Sequence, residues 1–313
     1  MTPAGYDHLR DGLAWADLGH RTTVLATGPE AARFIDGFAT AAIKPLGPGA
    51  GVESFFTDAR GWVIALAAVL RTDDGLIVDA EPGLGERLRD HLEHYHIRER
   101  VELVDASADW ACLLIAGPEA AQWLTRQAGT VPETLFGHGE VSLGGVAAHL
   151  VRSDWWGEHG WLVRCREADH GRLVDWLGDQ GLVKADALAV EAARTERGTP
   201  HPADIRDKTL PQELGRDARA ISFTKGCYLG QEMVARLDAL GHVNRRLMAV
   251  AVAGEVTAGA EVRQGDAPCG SLTTVCHSPR LGSMLGLGVV SMKAASGTIT
   301  VGGMEARVVE LPL

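Results

Sequence analysis

The stretch SFTKGCYLGQEMVARL, residues 222–237, sets one cysteine, Cys227, two positions after Lys225 and between Gly226 and Gly230. Gln231 and Glu232 follow, and Met233, Val234 and Leu237 recur at helical spacing. The pattern predicts a glycine loop that opens into a helix. A thiol just before a helix start and close to a lysine has its thiolate favoured by both. From spacing alone Cys227 fits two roles. It is a reactive or ligating thiol, or it is a small buried apolar residue, the usual setting of a free cysteine.

The rest of the chain narrows the setting. Its 313 residues allow two domains, or one large body with an appendage. With 46% hydrophobic and 23% charged residues it can build a full core. The first twenty residues show no basic run followed by an apolar stretch, so no secretory signal is read there and a cytoplasmic location is expected. The apolar run WVIALAAVL, residues 62–70, is too short for a membrane helix and suits a buried strand or short helix. Five cysteines, at 112, 165, 227, 269 and 276, form no CxxC pair, which argues for free thiols. A net charge of −11 argues against general nucleic-acid binding.

Two segments repeat a pattern. RTTVLATGPEAARFIDGFAT and WACLLIAGPEAAQWLTRQAG each read as an apolar strand, then Gly-Pro-Glu-Ala-Ala, then an amphipathic helix. They predict two related α+β units in one body. Between them, residues 52–80 read as three strands, with turns at residues 58–61 and at the Asp-Gly of residues 74–75. GLGERLRDHLEHYHI and ADHGRLVDWLGDQG read as helices. From about residue 247 short strands alternate with Gly, Asp and Ser, which predicts a small all-β domain, barrel or sandwich. The expected division is 1–244 and 245–313.

The central third resembles a known family. KGCYLGQE, residues 225–232, matches every specified position of K-G-C-Y-x-G-Q-E, the hallmark of the YgfZ family of folate-binding proteins. These are relatives of the T-protein (aminomethyltransferase) of the glycine cleavage system. TLPQELG at 209–215, the Arg-x-Glu-x-Gly-x-Pro of residues 194–200, and the C-terminal CGSLTTVCHSPRLGSMLGLGVV are similar to that family as well. The resemblance spans most of the chain. It implies an α+β, T-protein-like, three-lobed ring: two interleaved α+β units followed by a small C-terminal β-barrel, with a central opening for tetrahydrofolate or a derivative. It implies a cytoplasmic, folate-binding accessory protein that supports iron–sulfur cluster assembly or repair, with iron–sulfur client enzymes as partners, a radical tRNA methylthiotransferase among those of its relatives. The alternatives are a folate-dependent one-carbon transferase and a scaffold that binds protein partners alone.

The resemblance makes Cys227 a functional thiol, with Lys225 beside it. Each further candidate has two readings. Lys225 pairs with the thiolate or a folate carboxylate, or is a solvated loop lysine. Gln231 and Glu232 meet the pterin edge, or are ordinary first-turn residues. Tyr228 stacks on a flat ring, or is a core tyrosine. Arg194 and Glu196 hold a folate carboxylate and its neighbourhood, or form an ion pair. His91 and His94 lie at i, i+3, but HExxH is absent and no third ligand is apparent, so no metal site is expected.

One departure bears on chemistry. T-proteins carry an acidic pair in G-G-V-I-D-D, and the matching stretch here is GWVIALA, residues 61–67, with Ala65 and Leu66 at the acidic positions. Their Gly-Tyr-Glu corresponds to Gly160-Trp161-Leu162. Neither alanine nor leucine can take a proton or orient an amine. The expectation is that this chain is not a glycine-cleavage aminomethyltransferase.

Overall fold

The computed structural model describes residues 2–296 and 298–313. Two β-sheets lie face to face. The five-stranded sheet runs Gly51–Thr57, Val63–Arg71, Gly75–Ala80, Thr22–Thr27, Glu102–Asp105. The six-stranded sheet runs Val183–Lys184, Ala14–Gly19, Trp110–Ala116, Gly160–Arg166, Val146–Ser153, His138–Leu143. The chain starts in the second sheet, builds all of the first, and returns. Ala14–Gly19 pairs with Trp110–Ala116, Ala14 opposite Ala116, so one α+β unit is inserted into the other.

Strand alternation sorts the side chains into layers. Ala68, Leu70 and Ile77 of one sheet meet Ala14, Cys112, Leu114 and Leu162 of the other in the shared interior. Val69 and Val78, on the opposite face, pack under Phe34 and Leu88 of the helices Ala31–Asp36 and Gly85–His94. Leu113, Ile115 and Val163 pack likewise under Leu124 and Leu173 of the helices Ala120–Ala128 and His170–Asp179. The body is therefore helix, sheet, sheet, helix.

The repeated Gly-Pro-Glu segments occupy equivalent corners. Gly28 and Gly117 have φ of 113° and 118°. A Cβ on Gly28 would stand 2.5 Å from the Arg100 carbonyl oxygen, and one on Gly117 would overlap the Gly12 carbonyl. Both glycines let a neighbouring chain cross directly over the strand end.

The helix Ala187–Arg197 and a linking segment lead to the last domain. Six strands, Arg245–Val252, Ser283–Ser291, Ala267–Ser278, Glu261–Gln264, Ile299–Val301 and Met304–Val309, close into a barrel around Val250, Val262, Leu272 and Val301. Among the described residues no helix is long and apolar enough to cross a membrane.

Candidate functional site

Within the 222–230 loop the Lys225 side chain is committed to backbone and carboxylate partners of the first unit. The Lys225 ammonium is held at the end of the helix Ala31–Asp36. It donates to the carbonyls of Asp36, Ala39 and Ala41 at 2.6, 2.7 and 2.8 Å, and lies 3.3 Å from the Asp36 carboxylate. All three ammonium protons are used. Burial lowers its pKa to about 8, against the pull of Asp36. The proposed pairing of Lys225 with the thiolate or a ligand carboxylate is thus corrected: its side chain is 3% exposed and fully committed. Lys225→Ala should cost about 3 kcal/mol, because it strands three carbonyls and a buried carboxylate. Urea denaturation measures the loss, and iodoacetamide reactivity of Cys227 should change little in the same variant.

Gly230 explains the tight packing of the loop. Its φ is 83°, and an added Cβ would meet the Asp58 carbonyl at 2.5 Å and Gly61 Cα at 2.8 Å. Thr57 Oγ1 also donates to the Leu229 carbonyl at 2.7 Å. The loop is pinned to the turn between Gly51–Thr57 and Val63–Arg71 by a glycine-on-glycine approach. Gly226 has open space at its Cβ position. Cys227 is exposed, whereas Cys112 and Cys165 are buried and Cys269 and Cys276 half-buried. Tyr228 is buried with its ring 5.3 Å from the Lys225 ammonium, so it packs, and burial lifts its pKa to about 12. Gln231 and Glu232 begin the helix Gln231–Leu240, Gln231 half-buried and Glu232 exposed.

Arg194 and Glu196 stand elsewhere, between the body and the barrel. Arg194 donates to Glu191 at 2.6 and 3.0 Å and to the Thr199 carbonyl, and reaches Thr274 of the barrel at 3.4 Å. Glu196 is fully buried; it accepts from Tyr6 and, at 2.6 Å, from Ser278 of the barrel. Burial and the Glu196 carboxylate raise the Tyr6 pKa. These contacts correct the expectation that Arg194 and Glu196 are free for a folate carboxylate. Their groups are spent on locking the helix Ala187–Arg197 to the barrel. The structure does not gather the motif residues and this pair into one pocket.

What does converge on the lobe junction was not singled out from the sequence. Glu53, 1% exposed, takes both fork nitrogens of Arg216, a hydrogen bond from Arg219 at 3.2 Å, and one from Trp155 Nε1 at 2.9 Å. Asp154 accepts from Arg197 at 2.7 Å and from Arg219 at 2.7 and 2.9 Å. The Arg21 guanidinium lies 5.2 and 5.3 Å from the rings of Trp155 and Trp156 and pairs with Asp79 at 2.9 Å. Removing Glu53 leaves a buried guanidinium unpaired, so Glu53→Ala should cost about 3–5 kcal/mol in urea denaturation. Asp154 also sets an acid limit. Burial works against its ionisation, but hydrogen bonds from Arg219 and Arg197 overcome it and hold the pKa at about 2, below the ordinary 3.8. Its contribution is complete above pH 3.8 and is lost as pH falls towards 2. The urea midpoint followed across that window should record a loss of about 2 kcal/mol.

Arg197, Arg216 and Arg219 face a cavity of about 520 Å³ on their other side. Arg246 and an apolar wall that includes Leu214, Met248 and Leu287 complete it. The linking segment and the barrel line this cavity, and the two units contribute through Glu53 and Asp154, which hold its arginines. A second cavity of about 620 Å³ lies by Trp62, His91, His94 and Lys208. Among the described residues no group of three or more His, Cys, Asp or Glu is placed to hold a metal.

Fold and junction together define a three-lobed α+β protein with a β-barrel and an arginine-lined cavity where the lobes meet. The family model of the GCVT N-terminal domain matches residues 2–225, and that of the glycine cleavage T-protein C-terminal barrel domain matches 245–313. The chain belongs to the glycine cleavage T-protein family. It is 26% identical to the aminomethyltransferase of Rubrobacter xylanophilus, over 99% of this chain and 85% of that one. It is 23% identical to a chloroplastic protein of Arabidopsis thaliana described provisionally as a transferase, over 95% and 70% of the two chains. The crystal structure of the glycine cleavage system aminomethyltransferase T from Bartonella henselae shares the fold at a TM-score of 0.85 and 19% identity, covering 98% of this chain and 88% of that one.

Proposed function

We propose that this protein is a YgfZ-type member of the family: a folate-binding accessory protein, cytoplasmic, that supports iron–sulfur cluster assembly or repair through Cys227. Its body, residues 1–244, and its barrel, 245–313, hold tetrahydrofolate or a derivative between them. The observation that carries the reading is the setting of Leu66. At the position of the family's acid it lies in a closed apolar cluster with Phe55, Leu214, Ile221 and Val234. A relative that keeps the fold but fills the acid position with leucine has left amine chemistry behind, and the thiol of the K-G-C-Y-x-G-Q-E loop is the reactive group it offers instead. The junction cavity suits the ligand: about 520 Å³ falls within the ~300–1,000 Å³ of small-molecule sites, with an apolar wall for aromatic rings and guanidiniums for carboxylates.

In this reading Arg194 and Glu196 are positioning residues that fix Arg197, and Lys225, Tyr228, Gly226, Gly230, Gln231 and Glu232 form the loop that presents Cys227. Partners are folate and iron–sulfur client enzymes. The second reading, a folate-dependent one-carbon transferase, is favoured by the aminomethyltransferase names of the relatives. Calorimetric titration with tetrahydrofolate on wild type and Cys227→Ala separates the parts. Equal binding by both is expected, with loss of iron–sulfur enzyme support in the variant alone. Absence of binding in the wild type would sink the folate reading.

A further inference from the structure

We propose that the cavity beside Trp62 is a second ligand site, separate from the lobe junction, and that it takes a nucleoside monophosphate. It measures about 620 Å³ and opens between the helix Gly85–His94, the turn before Val63–Arg71 and residues 205–208 of the linking segment. It shares no lining residue with the junction cavity. Its volume falls within the ~300–1,000 Å³ of small-molecule sites.

The lining sorts into three chemistries. Trp62, His91 and Tyr95 are half-buried, and the last two meet edge to face at 5.5 Å, so a flat base finds aromatic surface there. Arg87, Arg206 and Lys208 are exposed, and among the described residues none of the three is ion-paired. Two of the three acids are engaged. Asp58 accepts from the Arg60 and Trp62 amides at 2.9 Å each, and Asp90 pairs with Arg89 at 2.6 Å. Asp207 stays open. Three uncommitted cations against one uncommitted acid leave a local positive excess in a chain of net charge −11.

Lys208 is set there against its backbone preference. Its φ of 62° lies in the left-handed region, which a residue with a side chain rarely takes. The Val63 N–H donates to the Thr209 carbonyl at 2.8 Å, and Arg245 donates to the Lys208 carbonyl at 3.3 Å, which holds the segment in place. The Lys208 ammonium lies 5.6 Å from the centre of the Trp62 ring, and the Arg60 guanidinium 4.9 Å. An anion attached to a ring stacked on Trp62 therefore arrives beside cations. A phosphate offers three oxygens to several cationic donors, where a carboxylate offers two. Asp207 supplies the acceptor that a ribose diol needs. Base, sugar and phosphate each meet a matching group.

Calorimetric titration of the full-length protein with adenosine and cytidine 5′-monophosphates tests the assignment, because stacking tolerates either base. Adenosine and inorganic phosphate serve as the two halves of the ligand, and a whole nucleotide should bind at least about tenfold more tightly than either half. Trp62→Ala should weaken nucleotide binding about tenfold, the usual effect of losing one stacked base. Lys208→Gly should weaken it about fivefold while its thermal midpoint stays at or above that of wild type, since glycine takes the left-handed backbone freely. That variant separates lost binding from lost folding. Saturating tetrahydrofolate should leave the titration unchanged, and displacement of the nucleotide by it would overturn the separate site. Tighter binding of benzoate would overturn the phosphate assignment, and tighter binding of a single-stranded tetranucleotide would overturn the single-nucleotide one. Absence of binding by both nucleotides, or full affinity in Trp62→Ala, removes the proposal.

Discussion

Supplied with an aminomethyl-loaded carrier protein and tetrahydrofolate, the protein is expected to form methylene-tetrahydrofolate at least about a thousand-fold more slowly than a typical enzyme turnover of about 10 s⁻¹. The reason lies in one strand. From Ala65 onward the strand Val63–Arg71 alternates regularly, so Leu66 lies on the same face as Ala68 and Leu70, and Ala65 on the opposite face. Leu66 is the inward position of the pair, and Phe55, Leu214 and Val234 close around it at 0–3% exposure. The side chains that close around it are apolar and offer nothing to orient an amine. Leu162, which the resemblance sets at the second acidic position, is likewise buried at 1%. Restoring the acid by Leu66→Asp should not restore the reaction. The new carboxylate has no hydrogen-bond partner in that cluster, so it should instead destabilise the fold by several kcal/mol. Methylene-tetrahydrofolate at an enzymatic rate, from wild type or from Leu66→Asp, would overturn the assignment of these positions.

That strand also shows what the sequence could reveal. The continuous apolar run of residues 62–70, which forms a buried strand, the Asp-Gly turn at residues 74–75 and the two Gly-Pro-Glu-Ala-Ala corners are local signals, and each is present in the structure. So do the helices opened by Gly85 and Gln231 and the run of barrel strands. The interleaving of the two units was expected from the family resemblance, but no local signal carries it. It depends on Ala14–Gly19 pairing with Trp110–Ala116, about a hundred residues on, and nothing within six residues specifies a partner so distant. The site divides the same way. The motif announced a glycine loop before a helix, which is local. Where Lys225 points is set by carbonyls 184 to 189 residues away. The junction network was missed because its charges look ordinary in the sequence. Two signals were present: Glu53 in the strand VESFF, where the neighbouring Ser54, Phe55 and Phe56 are all buried, and Arg216 and Arg219 at i, i+3 before the motif. A charge inside an apolar strand needs a partner of opposite sign, and two arginines on one short helical turn are such partners.

The same geometry gives the cysteines unequal fates, and the largest contrast is expected at Cys227. Iodoacetamide at neutral pH should modify Cys227 at least about a hundred-fold faster than the other four, because alkylation needs both access and thiolate. Cys112 is shut between the sheets, and burial together with nearby Asp79 pushes its pKa up to about 12. Cys165 is fully buried and its pKa stands at about 11, as does that of Cys276 beside the helix Ala187–Arg197, in each case chiefly through burial. Burial raises Cys269 as well, and its thiol donates to the Val262 carbonyl at 3.2 Å. Cys227 alone is exposed, on a loop held at both ends by Lys225 and Gly230, with open space on the Cβ side of Gly226 beside it. A loop so held, with a bare glycine next to an open thiol, leaves space for a partner to approach the sulfur, which is what attack on a disulfide or ligation of a soft metal requires. Cys227→Ala should therefore fold with unchanged stability, since no packing is lost, yet fail to restore iron–sulfur enzyme activity in cells lacking the protein. Full rescue by Cys227→Ala, or faster labelling at any of the other four, would reduce Cys227 to a bystander.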